Sequence, residues 1–219
     1  MATITTTSTS SSLNPTATPF LPAISSLPTL SDTALRATLD LLFEPSPELH
    51  ALALPTMRTL SFASYDDLVA TLRDQLLEIA AAVEGNEEGR RRLHAVLGSH
   101  PRLGERRREA LSEQSREEQR HLRQGDTGAE AGAEELEELG RLNREYEDRF
   151  PGLRYVVFVN GRGRGEVMAD MRRRIERGDL REEEREGIRA MCDIAADRAR
   201  KLLGKSAEEA ADGGTGGKS

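Results

Sequence analysis

The chain has 219 residues, enough for one domain with a real core, and sets 31 Lys and Arg against 38 Asp and Glu for a net charge of −7. That balance argues against a general nucleic-acid binder, and no apolar run approaches the roughly 20 residues that span a bilayer. A single cysteine, Cys192, rules out an internal disulfide and a cysteine-based metal cluster, and it fits a reducing compartment. Aromatics make up 4% of the chain and Trp is absent, so the core must come mainly from Leu, Ala, Val and Ile. Arg and Glu dominate the charged 32%, a composition suited to exposed helical faces. The arginine clusters at 90–92, 106–108 and 172–174 read as solvated faces paired with Glu.

In chain order, residues 1–21 are Ser, Thr, Pro and Ala without periodicity and read as disordered. They have neither an apolar signal core nor the arginines of a transit peptide. Ser31 or Asp32 caps a helix towards Phe43, with Leu35, Leu39 and Leu42 on one face. Pro45 and Pro47 break it, and Glu48 to Leu54 suits a short helical turn. Ser64 starts the clearest amphipathic helix, with Leu68, Leu72, Leu76, Ile79 and Val83 as its buried stripe. Gly85-Asn86 ends it and caps a helix carrying Leu93, Val96 and Leu97.

Gly98-Ser99 then turns the chain into His100-Pro101. A helix follows over 115–124, a Gly- and acid-rich connection over 125–132, and a long helix from Glu134 to Arg149 that Phe150-Pro-Gly152 stops. Tyr155 to Val159 is the one convincing extended run. Helices over Gly165–Arg177 and Leu180–Leu203 complete the folded unit, 22–205, and a Gly-rich tail over 206–219 reads as disordered. One short extended run cannot build a sheet. The predicted architecture is therefore an all-α, single-domain helical bundle with that segment packed between helices.

Four features carry candidate chemistry. His100 lies on a loop between a Gly-Ser turn and a proline, where functional residues are common, and imidazole is the natural acid/base near neutral pH. Ser115-x-x-Glu118 has capping-box spacing, and a helix start also offers free N–H groups to an anion. Gln119 follows with a donor and an acceptor in one side chain. Arg198 falls within the apolar stripe of Ile188, Met191, Ala195, Ala199 and Leu202, so it must meet either an acidic partner or an anionic ligand. By contrast, Gly161-Arg-Gly-Arg-Gly165 imitates a phosphate-binding loop. It lacks the full glycine spacing and a second strand, and it reads as a flexible turn. His50, His94, His100 and His121 show no metal-ligand spacing.

Taken in order, Leu27-Pro-x-Leu-Ser31, His100-Pro101-x-Leu-Gly104, Ser115-x-x-Glu118-Gln119, Leu142-Asn143-x-x-Tyr146, Phe150 with Tyr155-Val-Val157, and Ile194-Ala-x-x-Arg198 form a specific set. In these residues, over about Leu27 to Leu203, the chain resembles the 2-oxo-4-hydroxy-4-carboxy-5-ureidoimidazoline (OHCU) decarboxylases of urate degradation. The resemblance implies an all-helical domain, commonly a homodimer. It implies a small-molecule ureidoimidazoline substrate and no nucleic-acid or membrane partner. His100 inherits the key catalytic role and Glu118 supports it. Pro101, Ser115, Gln119 and Arg198 inherit substrate contacts, together with the backbone of Tyr155, Val156, Val157 and Phe158. Neither metal nor cofactor is implied, because the substrate's own ring can accept the electrons released with carbon dioxide.

The family often has Asp where Arg102 stands and Phe where Tyr155 stands, departures that can tune the pocket. The C-terminal Gly-Lys-Ser differs from the peroxisomal tripeptide, so the expected compartment is the cytoplasm, with the peroxisome as alternative. A non-catalytic helical binding module on the same scaffold is the competing reading. Convergence of His100, Glu118 and Arg198 on one pocket separates the two.

Overall fold

A computed structural model describes residues 20–83, 85–104, 115 and 129–212, with side chains omitted at 129–133 and 206–212. Its helices are α1 (Asp32–Leu42), α2 (Pro47–Thr59), α3 (Tyr65–Ala82), α4 (Glu87–Leu97), α5 (Ala129–Arg149), α6 (Arg164–Arg177) and α7 (Leu180–Asp212). A short 3-10 helix, Ile24–Thr29, precedes them. The described residues contain no strand, in accord with the all-α expectation. Among them, no helix is long and apolar enough to cross a membrane.

Local chemistry accounts for most helix starts. The Ser31, Ser46 and Ser64 hydroxyls accept from Ala34, Leu49 and Asp67 N–H, and the Asn86 side chain accepts from Gly89 N–H. Pro47 opens α2 at its first position instead of breaking the chain, because its missing N–H needs no partner there. The short turn expected over Glu48–Leu54 is consequently a thirteen-residue helix. At the other end of the molecule, α6 stops at Gly178, whose φ of 59° is the left-handed conformation glycine tolerates best.

Two boundaries differ from the pattern-based ones. α5 begins at Ala129, within the connection expected over 125–132, since Ala129, Glu130 and Ala131 favour helix enough to carry Gly132. α7 runs to Asp212, past the boundary set at residue 205; the Ala- and Glu-rich run after Ser206 supplies good helix formers. Leu21, placed in the disordered N-terminus by composition, is buried, and the Tyr65 hydroxyl donates to the Pro22 carbonyl beside it at 2.8 Å. Residues 1–19 and 213–219 lie outside the described residues.

α7 is the spine: it packs most extensively on α3 and also meets α1 and α4, while α5 pairs with α6. The two groups are joined by a buried polar cluster. Arg174 of α6 donates through Nε to both Glu183 oxygens of α7, at 2.9 and 3.1 Å, and the Tyr146 hydroxyl of α5 donates to the same carboxylate. Arg174 is only 4% exposed and Glu183 is fully buried. The 172–174 cluster is therefore not one solvated face: Arg172 and Arg173 are exposed, whereas Arg174 turns inward.

Arg174 also explains how an extended segment survives without a sheet. Tyr155–Val159 pairs with no strand, so its carbonyls need other donors. Arg174 Nη1 donates to the Val156 carbonyl at 3.1 Å. Arg162 Nη2 donates to the Phe158 carbonyl, and its backbone N–H reaches the Val159 carbonyl at 2.8 Å. Asn160 and Gly161 between them both have positive φ, 40° and 80°, as a tight Asn-Gly turn requires. Arg174→Lys keeps the charge but loses the planar fork that serves Glu183 and Val156 together. The expected loss is about 1–3 kcal/mol of unfolding free energy, read from denaturant titration. A variant as stable as the parent would disprove this bridging role.

Candidate active site

The site forms where the end of α4, the α1–α2 turn, the extended segment and α7 meet. At the end of α4, the Gly98 N–H donates to the His94 carbonyl at 2.7 Å and the Ser99 hydroxyl to the Val96 carbonyl at 2.7 Å. These bonds close the helix and deliver His100. The loop is then pinned from two sides: Arg154 Nη1 donates to the His100 carbonyl at 3.1 Å, and Asn143 Nδ2 of α5 donates to the Leu103 carbonyl at 2.9 Å. Pro101 is buried, whereas Arg102 points outward to Glu147 of α5. That outward direction keeps this departure from the family pattern off the cavity wall.

His100 is half-buried on the wall of a cavity of about 390 Å³. Leu103, Val157, Phe158 and Ile194 supply apolar lining, and Asp197 and Lys201 add charge. A cavity of this size suits a small molecule.

Arg198 finds its acidic partner in the α1–α2 connection. Its Nη2 donates to Glu44 Oε1 at 2.9 Å and to Ser115 Oγ at 3.0 Å, while Ser115 Oγ donates to the same Glu44 oxygen at 2.5 Å. All three residues are buried, with Arg198 only 3% exposed. Ser115 is itself helical, so it does not occupy the N-cap position that the capping-box reading gave it; an N-cap residue stands outside the helical conformation. Glu118 and Gln119 lie outside the described residues, as does His121.

Glu44 escapes a reading of spacing. It sits alone between Phe43 and Pro45, 154 residues from Arg198, and no helical period links the two. The available signal was a carboxylate directly after the apolar run Leu41-Leu42-Phe43, a place where a charge must find a partner. Asp197 and Lys201 were missed for a different reason: charged residues within a long helix carry no mark of a cavity.

The electrostatics follow from this packing. Burial drives the His100 pKa down to about 4; Arg198 and Arg154 push the same way, against Glu44. The imidazole is therefore neutral over the physiological range. Burial alone would raise the Glu44 pKa, but Arg198, the Ser115 hydroxyl and His100 outweigh it and hold the carboxylate below its ordinary value. Glu44 and Arg198 thus form an ionised, mutually compensating pair whose charges act on the His100 imidazole in opposite directions, behind the larger effect of burial.

The extended segment divides in two. The Tyr155 hydroxyl faces away from the cavity, donating to Asp170 Oδ2 at 2.6 Å, with the Arg174 guanidinium 4.7 Å from its ring centre. Val156 gives its carbonyl to Arg174, whereas Val157 and Phe158 line the cavity. Among the described residues, no hydrogen bond takes up the Val157 N–H or C=O. Successive residues of an extended chain point their polar groups to opposite sides. The Val156 and Phe158 carbonyls are held by arginines, so Val157 presents a donor and an acceptor on the other edge.

A neutral imidazole, a buried guanidinium and an apolar-walled cavity together suit proton transfer on a small, polar molecule. Comparison with known proteins agrees: the family model described as OHCU decarboxylase matches residues 28–200. No curated protein matches the chain significantly.

Proposed function

We propose a substrate and a chemistry for this chain, which belongs to the OHCU decarboxylase family, a family of carboxy-lyases of purine and urate breakdown: it converts 2-oxo-4-hydroxy-4-carboxy-5-ureidoimidazoline to (S)-allantoin. The supporting observation is the neutral His100 on a small-molecule cavity, backed by the buried Glu44–Arg198 pair.

The substrate carries a carboxylate and a hydroxyl on one ring carbon, next to a ring carbon–nitrogen double bond. When carbon dioxide leaves, the pair from the broken carbon–carbon bond forms a double bond to the neighbouring ring carbon. The imine pair moves onto nitrogen, which takes a proton. The product is an enol. His100, as a neutral base, accepts the hydroxyl proton; a proton delivered to the ureido-bearing carbon then restores the carbonyl. Delivery to one face sets the S configuration. Glu118 would orient His100. Pro101 and Gln119 would shape the polar end of the site, and Ser115 and Arg198, bonded to Glu44, would contribute its electrostatic field. The Val157 edge offers a paired donor and acceptor of the kind a ureido group matches.

The test adds purified protein to freshly prepared substrate and follows allantoin by circular dichroism. A rate well above the spontaneous one, with a single enantiomer, is expected. Spontaneous rate and racemic product would eliminate the reading.

A further inference from the structure

We propose that Lys201 is the cation that meets the substrate carboxylate at the mouth of the cavity, with Asp197 holding its ammonium group in place. The proposal rests on the decarboxylase reading above and names a recognition residue within it.

Three observations carry it. First, Ile194, Asp197 and Lys201 stand three and four residues apart on α7, so they share one helical face, and that face lines the same cavity as His100. Arg198 is one position on from Asp197, about 100° round the helix, and faces Glu44 and Ser115 instead. One helix therefore presents a compensated, buried cation on one side and an accessible cation on the other. Second, Lys201 Nζ lies 2.7 Å from Asp197 Oδ2, and the lysine side chain is 56% exposed against 24% for the aspartate. An ammonium group has three N–H donors. One meets Asp197, and the others can meet a second carboxylate arriving from solvent. Third, the protein carries a net charge of −7, so an anionic substrate approaches against the overall field. A mobile point charge at the entrance offsets that repulsion locally, and lysine supplies one more readily than a rigid guanidinium.

The placement also suits the chemistry. A cation locked onto the carboxylate at the reacting centre would stabilise the ground state and slow its departure. A partly exposed lysine already shared with Asp197 binds the anion without holding it tightly.

The experiment compares steady-state kinetics of the parent with Lys201→Met, Lys201→Arg, Asp197→Asn and, as a charge control off the cavity, Arg200→Met. Lys201→Met is expected to raise KM about three- to tenfold with kcat unchanged or slightly higher, the signature of lost uniform binding. Lys201→Arg should restore most of the KM. Asp197→Asn should raise KM, by less than Lys201→Met, because the ammonium loses the carboxylate that holds it at the cavity. Arg200→Met should behave as the parent. Inhibition by allantoin, which has lost the carboxylate, should be the same for Lys201→Met and the parent.

An unchanged KM in Lys201→Met overturns the proposal. So does a parallel loss of allantoin binding, since Lys201 would then only shape the pocket. A parent without turnover would instead remove the decarboxylase reading, and this proposal with it.

Discussion

His100→Ala, at unchanged far-ultraviolet circular dichroism, is expected to slow decarboxylation by about 10²- to 10⁴-fold, the usual contribution of one general acid/base. His100→Asn should lose as much, because an amide keeps the polarity without the basicity. Either variant turning over like the parent would rule out proton transfer by His100.

The pH dependence gives a second readout. The free enzyme's imidazole titrates at about 4, so kcat/KM should stay level down to roughly that pH. In the substrate complex an anion lies near the ring and favours its protonated form. The acid limb of kcat should therefore lie at higher pH than that of kcat/KM. Coincident limbs near 6.5 would mean that the ring on the cavity wall is solvated and not desolvated.

Stability follows with a defined sign. A histidine with a depressed folded pKa binds its proton more readily when unfolded. Its contribution is complete above the unfolded value of 6.5 and is lost as pH falls towards 4. Glu44, also depressed, adds to the loss below its ordinary 4.5. His100→Ala should accordingly flatten the slope of unfolding free energy between pH 6.5 and 4.

Glu44→Ala is expected to lower stability by roughly 3–5 kcal/mol, as removal of one member of a buried ion pair does. Glu44 Oε1 accepts from both Arg198 and Ser115, so truncation disturbs two buried donors at once. Glu44→Gln preserves the shape while removing the charge, and it should fall between the two. It should also shift the acid limb of kcat/KM to still lower pH, because Glu44 is the group that raises the His100 pKa. A loss below about 1 kcal/mol in Glu44→Ala would be the value of an exposed pair and would contradict the buried geometry. The two variants thus separate support of the fold from control of the imidazole.

Much of this architecture is written locally. Ser31, Ser64 and Asn86 cap the helices that they were expected to start, because a cap bonds within three residues of itself. The stripe of Leu68, Leu72 and Leu76 is buried because a 3.6-residue period puts it on one face. The same period marked Arg198 as a charge on an apolar face. His100 was marked by its setting before a proline and by the resemblance of its motif to a family. His100 lines the cavity, and Arg198 is bonded to Glu44 and Ser115.

What periodicity states is the face a residue occupies; it is silent on what stands opposite. Arg172, Arg173 and Arg174 are three identical side chains in a row, and only the packing of α6 against α7 turns the third inward onto Glu183. Glu44 met Arg198 and Ser115 through tertiary packing alone. A helix signal extends about four residues, whereas the partners of these buried charges lie 154 and 71 residues from Glu44. The sequence by itself therefore determined the helices, their caps, the family resemblance and the two residues that need an explanation, His100 and Arg198. Only the tertiary structure decided how they are explained. It compensated Arg198 with a carboxylate from the other end of the chain, kept His100 neutral by desolvating it on the cavity wall, and, among the described residues, set Lys201 as an exposed cation on that cavity, because the cost of burying a charge is met by whichever residue the fold brings near.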